Sequence, residues 1–232
     1  MKIPIGGGEP VQFAPGRAAV WSPDGQRLAF VTGPSSAERV WVSDADGLGP
    51  KEVKDSTLLN SLVTWLPDGR LAWQTPDARN YRIRDLANGR EELLVKNPEV
   101  GFVFQPHFSP RGDQVAVTWN RAEGNEGYKR GLWLLSWPAR EARLLAPNLW
   151  PIGWSGNGDW IYAYEESASA VVRVSPHTSK IEPVGTFPQG TLGISECSLT
   201  PARQSIVCAL TEEFADAWIV DFFDPDVQVL RR

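Results

Sequence analysis

The chain has 232 residues, 42% of them hydrophobic, and a formal net charge of −5 at pH 7. Its 23 basic side chains are scattered among 28 acidic ones, so no broad basic surface is available to neutralise phosphates, and we expect no nucleic-acid partner. No apolar run is long enough for a membrane helix and residues 1–8 do not read as a signal peptide, so we expect no membrane insertion.

One short turn recurs along the whole chain. It first appears as Trp21-Ser22-Pro23-Asp24-Gly25, and altered copies follow at intervals of 43 to 46 residues, beginning at Trp65, Phe108, Trp154 and Leu199. Proline presets the first central turn position, Asp or Asn tolerates the second, and glycine takes the left-handed position that follows. Each copy therefore predicts a tight hairpin, and a period of this length is typical of four-stranded propeller blades.

Alternating apolar residues flank each turn and predict its first two strands, as at Ala19, Trp21, Leu28 and Phe30. Each repeat then offers a third strand, at Val40 to Ser43, Tyr81 to Asp85, Gly131 to Trp137, Val171 to Ser175 and Ala217 to Phe222. A more polar fourth strand follows at Lys51 to Lys54, Glu91 to Val95, Glu141 to Leu145 and Ile181 to Val184. The segment from Arg121 to Arg130 is expected to be a long solvated loop.

The aromatic composition supports a close-packed, repeat-built domain. Eleven tryptophans are present, most of them on predicted strands, where a ring can fill the gap between neighbouring blades. We therefore expect most to be core residues, and the exception we expect first, as an exposed binding platform, is Trp150, because it precedes an innermost strand.

The turns, together with segments such as Val42-Ser43-Asp44-Ala45-Asp46-Gly47, resemble the TolB-type β-propeller repeat of bacterial envelope proteins. The same repeat is found in sensor regions fused to bacterial serine/threonine kinases and in the propellers of prolyl oligopeptidases and dipeptidyl peptidases. The resemblance covers residues 3 to 230 and is weakest in the fifth repeat, where Ala202-Arg203 replaces Asp-Gly. It implies an all-β propeller of four-stranded antiparallel blades.

We predict a single propeller domain, with blades at about 17–54, 61–95, 104–145, 150–184 and 195–230. The segment 2–13 resembles the third and fourth strands of a repeat, and pairing it onto the last blade would leave fewer exposed sheet edges. Five blades closed in this way is the preferred arrangement. The alternative is part of a six- to eight-bladed propeller.

Two cysteines are expected to face each other. If Leu199 pairs with Ile206 as Trp21 pairs with Leu28, then Cys197 lies opposite Cys208 on neighbouring strands. A disulfide between them is possible although strained, and the alternative is two buried free thiols. An oxidised pair would favour an extracytoplasmic compartment.

Catalytic and metal-binding motifs are nearly absent from the sequence. The segment Gly153-Trp154-Ser155-Gly156-Asn157 lacks the final glycine of a nucleophile elbow and has no strand-to-helix context. The two histidines, His107 and His177, are predicted to lie in different blades, and no phosphate-binding glycine loop is present. We therefore expect no enzyme, no metal site and no cofactor.

The remaining candidate site is the rim of the propeller channel. Loops that enter the innermost strands of a propeller converge on its axis, where each blade contributes one group to a concave surface. Counting back from each turn predicts a set suited to a peptide or a small polar ligand: Arg17, Asn60, Gln105, Trp150 and Glu196.

Three functions remain open. The preferred one is a non-catalytic, TolB-like module that binds a protein or ligand, associated with the envelope or part of a larger protein, as a monomer or a blade-swapped oligomer. The alternatives are an extracytoplasmic sensor domain of a bacterial serine/threonine kinase and the substrate-gating propeller of a prolyl oligopeptidase-type peptidase. The resemblance favours a periplasmic or extracytoplasmic location.

Overall fold

A computed structural model describes residues 16–35, 37–58, 62–96, 101–122, 127–187, 193–200, 205–211 and 217–221. Within these ranges nineteen β-strands form five antiparallel sheets, and the one short helix is the 3-10 turn Glu166–Ala168. In every sheet the strands follow one another in chain order, so each sheet is a simple meander. The described part of the chain contains no helix with the length and apolar character needed to span a bilayer.

The strand bounds follow the predicted repeat. The first sheet contains β1 Arg17–Trp21, β2 Arg27–Thr32, β3 Arg39–Asp44 and β4 Lys51–Glu52, and the second contains β5 Val63–Trp65, β6 Leu71–Gln74, β7 Tyr81–Arg84 and β8 Glu91–Leu93. The third contains β9 Gly101–Phe108, β10 Gln114–Ala122, β11 Tyr128–Ser136 and β12 Ala142–Pro147. The fourth contains β13 Leu149–Trp154, β14 Ile161–Glu165, β15 Ala170–Val174 and β16 Ile181–Thr186, and the fifth β17 Gly193–Leu199, β18 Ser205–Thr211 and β19 Ala217–Asp221.

The all-β prediction and the four-stranded antiparallel unit are confirmed. Four sheets are complete in the described residues, where we preferred five blades, and the fifth sheet shows three strands. The proposed closing strand at 2–13 and the proposed last strand at 227–230 lie outside the described residues. The single domain, its blade count and its closure therefore stay predictions.

Side-chain hydrogen bonds hold the recurring turns closed. The Ser22 hydroxyl donates to Asp24 Oδ1 at 2.6 Å and accepts from the Arg27 backbone N–H at 2.8 Å. The hydrogen bond from Ser22 keeps the pKa of Asp24 below its usual value. Gly25 has φ 68°, the left-handed conformation that glycine adopts without steric cost. The predicted turn chemistry therefore produces the predicted hairpin, in which Trp21 pairs with Leu28.

Contacts divide the chain into two compact units. Unit 1 comprises the described residues up to Phe104 and those of Arg121–Tyr128, and unit 2 comprises Gln105–Asn120 and the described residues from Lys129 onward. The core of unit 1 lies between the first two sheets, where Trp65 and Trp73 pack with Leu58 and Val40. Unit 2 has its own apolar clusters, one around Trp154 and another around Phe187.

A tryptophan joins neighbouring sheets in the same way inside each unit. In unit 1, Trp65 Nε1 donates to the carbonyl of Val20 at 3.1 Å. In unit 2, Trp154 Nε1 donates to the carbonyl of His107 at 2.7 Å. Both tryptophans begin a copy of the recurring turn, and both acceptors precede the equivalent position of the previous repeat. The repeat therefore specifies the contact between blades as well as the hairpin.

Two expectations about exposure and loops need correction. Trp150 is half-buried, and the most exposed tryptophan among those described is Trp21, at 45% of its full surface. The segment from Arg121 to Arg130 is not a loop at either end, because β10 continues to Ala122 and β11 begins at Tyr128.

Candidate functional site

The predicted rim residues fall in both units. Arg17 lies on β1 in unit 1, whereas Gln105 on β9, Trp150 on β13 and Glu196 on β17 belong to unit 2. Asn60 lies outside the described residues, and for Glu196 the structure describes only the strand position. The prediction that all five converge on one rim stays a prediction, and each described member is considered within its own unit.

Arg17 neutralises a buried carboxylate. Its Nη2 donates to Glu38 Oε1, and the Glu38 side chain is almost completely buried. A second hydrogen bond joins Arg17 Nη1 to the carbonyl of Gly33 at 3.3 Å. A buried carboxylate without a cation would be costly, so this pair ties the start of β1 to the residue that precedes β3. Arg17 therefore has a structural role in addition to its predicted place at the rim.

The innermost strands of four sheets are irregular just before the recurring turn. Gln105 adopts φ 50°, and Ala18 has φ 51° at the same distance from its own turn. Non-glycine residues in this left-handed region carry backbone strain, which is concentrated at functional sites in proteins. The pairing of three innermost strands also shifts by a bulge, between Arg17 and Val20, Pro151 and Gly153, and Ile194 and Glu196. Bulges of this kind redirect side chains next to binding and active sites.

Inside unit 2 the innermost strands of three consecutive sheets are neighbours. The Trp154 hydrogen bond to His107 joins β13 to β9. On the other side of β13, a Cβ added at Gly153 would lie 2.7 Å from Leu199 Cδ1 of β17. The three strands therefore pack side by side.

An arginine stacks on the half-buried Trp150 at the start of β13. The Arg130 guanidinium lies 4.0 Å from the centroid of the Trp150 ring. The carbonyl of Arg130 also accepts a hydrogen bond from the Asn148 N–H at 3.1 Å, which ties β11 to the residue before β13. Arg130 Nη2 is 3.8 Å from Glu166 Oε2, a long and exposed ion pair. We call the stacked pair of Arg130 and Trp150 the Arg130–Trp150 plate.

The plate has one member that the sequence reasoning missed. We predicted Trp150 as a rim residue and treated Arg130 as part of a solvated loop. Because β11 begins at Tyr128, Arg130 is a strand residue held in place by backbone pairing. A cation over an indole face is attracted by the ring quadrupole, and a planar guanidinium in this position still offers N–H donors at its edge.

The clearest electrostatic arrangement of unit 2 lies elsewhere, on β15 and β16. Arg173 donates from Nε and Nη2 to Glu182 Oε2, at 2.9 and 2.6 Å, and Lys180 Nζ is 2.7 Å from Glu182 Oε1. These hydrogen bonds, first that of Lys180 and then that of Arg173, lower the pKa of Glu182. The network stabilises an ionised carboxylate on the fourth sheet and has no contact with the plate.

In the ranges that the structure describes, no group of three or more His, Cys, Asp or Glu side chains is placed to hold a metal ion. His107 lies on β9, and His177 follows β15.

Cys197 and Cys208 form a disulfide across β17 and β18. They are directly paired in the sheet with Cα atoms 4.1 Å apart, and Leu199 pairs with Ile206 in the same register. Of the two alternatives considered from the sequence, the structure contains the oxidised pair.

No protein-family profile matches the sequence, and no curated protein is detectably similar to it. Solved structures are similar in fold. TolB from Acinetobacter baumannii superimposes with a TM-score of 0.65 at 17% identity, covering 84% of this chain and 50% of TolB. A putative TolB from Agrobacterium tumefaciens gives a TM-score of 0.63 at 16% identity, covering 88% of this chain and 76% of the other.

The chain has a TolB-like β-propeller fold. An oligogalacturonate lyase in complex with manganese is also similar, with a TM-score of 0.64 at 12% identity. The superposition covers 87% of this chain and 61% of the lyase chain. The TolB-like chain thus spans about half of the A. baumannii protein and about three fifths of that lyase. At sequence identities this low, the similarity shows only that the folds are alike.

The expectation that this TolB-like chain is not an enzyme is wrong. It rested on the absence of recognisable motifs and on a resemblance to binding modules. Oligogalacturonate lyases have a similar fold, so this fold occurs in enzymes as well as in TolB proteins.

Proposed function

We propose that this chain is a propeller module that binds a protein or peptide partner, and that unit 2 provides the contact through the Arg130–Trp150 plate. The observation that carries the proposal is the guanidinium held 4.0 Å from the Trp150 ring at the start of an innermost strand. Trp150 is half-buried there, so part of its ring can meet a partner. TolB-like neighbours support a propeller module of this general kind.

The chemistry of the plate suits a peptide. Tryptophan and arginine are among the residue types most enriched where truncation costs the most binding energy. The indole gives an apolar surface, while the guanidinium edge can donate to a backbone carbonyl or to a carboxylate. Glu166 stands 3.8 Å from Arg130 and is mostly exposed, so a partner carboxylate can replace it at small cost.

The neighbouring backbone supports a preorganised surface. Gln105 in its left-handed conformation and the bulge between Pro151 and Gly153 lie on adjacent innermost strands of unit 2. Both features depart from regular sheet geometry at the equivalent place in their repeats, and such strain persists only where surrounding packing maintains it. A surface that is already in its bound shape loses less entropy when a partner docks.

We also propose an extracytoplasmic location, associated with the envelope. The support is the disulfide between Cys197 and Cys208, because structural disulfides persist in oxidising compartments and are rare in the cytosol. Titration of free thiols on protein purified from its native host, denatured without reductant, tests this. We expect no reactive thiol, and two reactive thiols would contradict it.

The binding proposal is tested with a peptide library displayed on phage, selected on the purified chain. An enriched peptide is then synthesised and its Kd is measured by calorimetry against the wild type, Arg130→Ala and Trp150→Ala. We expect each variant to weaken binding by about tenfold or more, the effect of removing a residue worth about 1.4 kcal/mol or more at the centre of an interface.

Arg140→Ala is the matched control. Arg140 lies 4.7 Å from the Trp137 ring in the turn between β11 and β12, so the control removes a similar stack from the same unit. We expect it to retain the wild-type Kd. Enrichment of no peptide, or equal Kd values for all three variants, would contradict the proposal. The kinase-sensor and peptidase-gating alternatives stay predictions.

A further inference from the structure

We infer that unit 1 contains a separate binding site for a small organic anion, in a groove between the first and second sheets. The groove lies against β3, β4 and the turn after β7, and its volume is about 690 Å³. That is within the range of pockets that hold drug-sized ligands, roughly 300–1,000 Å³. We call it the Lys51–Lys54 groove, after the two lysines that line it.

The walls of the groove combine cations with apolar side chains. Four basic side chains and two carboxylates line it, in a chain whose formal net charge is −5. Among the apolar residues are Val42, Val53 and Leu86, and Val42 and Leu86 extend from the core of the unit. A ligand that carries both an anionic group and an apolar body would match this surface.

Two of the four cations are already fixed by the protein. The Arg84 guanidinium donates to the carbonyl of Lys54 and forms an ion pair with Glu91. Arg27 lies 4.7 Å from the Trp65 ring and donates to the carbonyl of Gly69 at 3.4 Å. Because these contacts already hold both side chains in place, little of their entropy remains to be lost when a ligand binds.

The other two cations are available to a ligand. Lys51 and Lys54 are exposed, and neither forms an ion pair with any residue in the described ranges. Of the two carboxylates, Glu52 is 3.6 Å from Arg39 and is thereby offset, which leaves Asp44 as the unfavourable neighbour. Arg84 is offset in the same way by Glu91, so Arg27, Lys51 and Lys54 remain against Asp44. The local balance is still positive, so an anion would be attracted and a cation would not.

The site is independent of the plate in unit 2, because no residue is shared. Nothing in the groove distinguishes a carboxylate from a phosphate, since both accept hydrogen bonds from ammonium and guanidinium groups. The inference is therefore a class of ligand, a small molecule with one such group on an apolar body.

The test uses three probes with the same apolar ring system: 1-naphthoate, 1-naphthyl phosphate and the uncharged 1-naphthalenemethanol. Each is titrated into the ¹⁵N-labelled full chain at low salt while amide shifts are followed by NMR. Gly49 and Gly89 line the groove, so their amide signals report occupancy at this place. We expect saturable shifts at both glycines with one or both anions, and binding at least about fivefold weaker with the alcohol.

Two double variants separate the site from overall charge. Lys51→Gln with Lys54→Gln removes the available cations and should weaken anion binding by about fivefold or more. Lys96→Gln with Lys180→Gln changes the net charge equally at exposed positions outside the groove and should leave the Kd unchanged. Equal weakening by both double variants, equal binding of the alcohol, or no shift at Gly49 and Gly89 would overturn the inference.

Discussion

The tryptophan that begins a repeat should contribute more to the free energy of unfolding when its ring is buried and its N–H donates to the previous blade. Trp154 is 1% exposed and donates to the carbonyl of His107, whereas Trp65 is 7% exposed and donates to Val20. Trp21 occupies the same repeat position at 45% exposure. Replacing each in turn by phenylalanine keeps an aromatic ring but removes the N–H donor and part of the volume.

The structure gives the size of the effect for Trp154→Phe. Loss of the 2.7 Å hydrogen bond leaves the carbonyl of His107 without that donor, which costs about 1–3 kcal/mol. The smaller ring leaves a cavity of about 40 Å³, and at about 24 cal/mol per Å³ this adds about 1 kcal/mol. The total is about 2–4 kcal/mol, or a fall in Tm of about 4–16 °C for a domain of this size.

For Trp65→Phe, with its longer hydrogen bond of 3.1 Å, we expect a loss toward the lower end of the same range. For Trp21→Phe we expect a change within about 1 kcal/mol, because much of its ring is already in water. Urea unfolding followed by far-UV circular dichroism measures all three, since the strand signal does not depend on the replaced fluorophore. Equal losses for Trp21→Phe and Trp154→Phe would refute the reasoning that the inter-blade contact is the source of the stability.

Two further predictions concern strand packing and pH. An added Cβ at Gly131 would lie 2.3 Å from the backbone oxygen of Ala146, so Gly131→Ala should lower the unfolding free energy by about 3 kcal/mol in urea titrations. Gly185→Ala, which meets no atom within 4 Å, should change it by less than about 0.5 kcal/mol, and similar losses for both would contradict the packing argument. Because folding lowers the pKa of Glu182, its carboxylate stabilises the chain above the unfolded value near 4.5 and loses that contribution as the pH falls through the folded value. The Tm difference between wild type and Glu182→Gln should therefore shrink between pH 7 and pH 3 in calorimetry, and a constant difference would exclude this linkage.

Local chemistry explains why much of the fold is predictable. A serine hydroxyl, a proline, an acidic residue and a glycine close the hairpin within five residues, as at Ser22 and Gly25. The alternation on either side then decides the pairing register, since a shift of one residue would turn every apolar side chain to the other face. The same reasoning placed Cys197 opposite Cys208, which the structure joins in that register. These interactions involve residues that are close along the chain, so the spacing of residues in the sequence is enough to predict the hairpins and their register.

The candidate sites required contacts that spacing does not encode. Trp150 was predicted as a rim residue from its repeat position alone, but the guanidinium on its ring comes from Arg130 on a different strand. The partner of Arg17 is likewise a buried glutamate, Glu38, which lies just before β3, and no motif pairs the two.

By itself, the amino-acid sequence determined the repeat, the hairpin turns, the strand order and the register, because each depends on interactions within one blade. Only the tertiary structure decided which side chains meet across strands and sheets: the Arg130–Trp150 plate, the Arg17–Glu38 pair and the basic groove at Lys51 and Lys54. The physical reason is that a long side chain can reach several partners from one backbone position, and packing between elements selects among them.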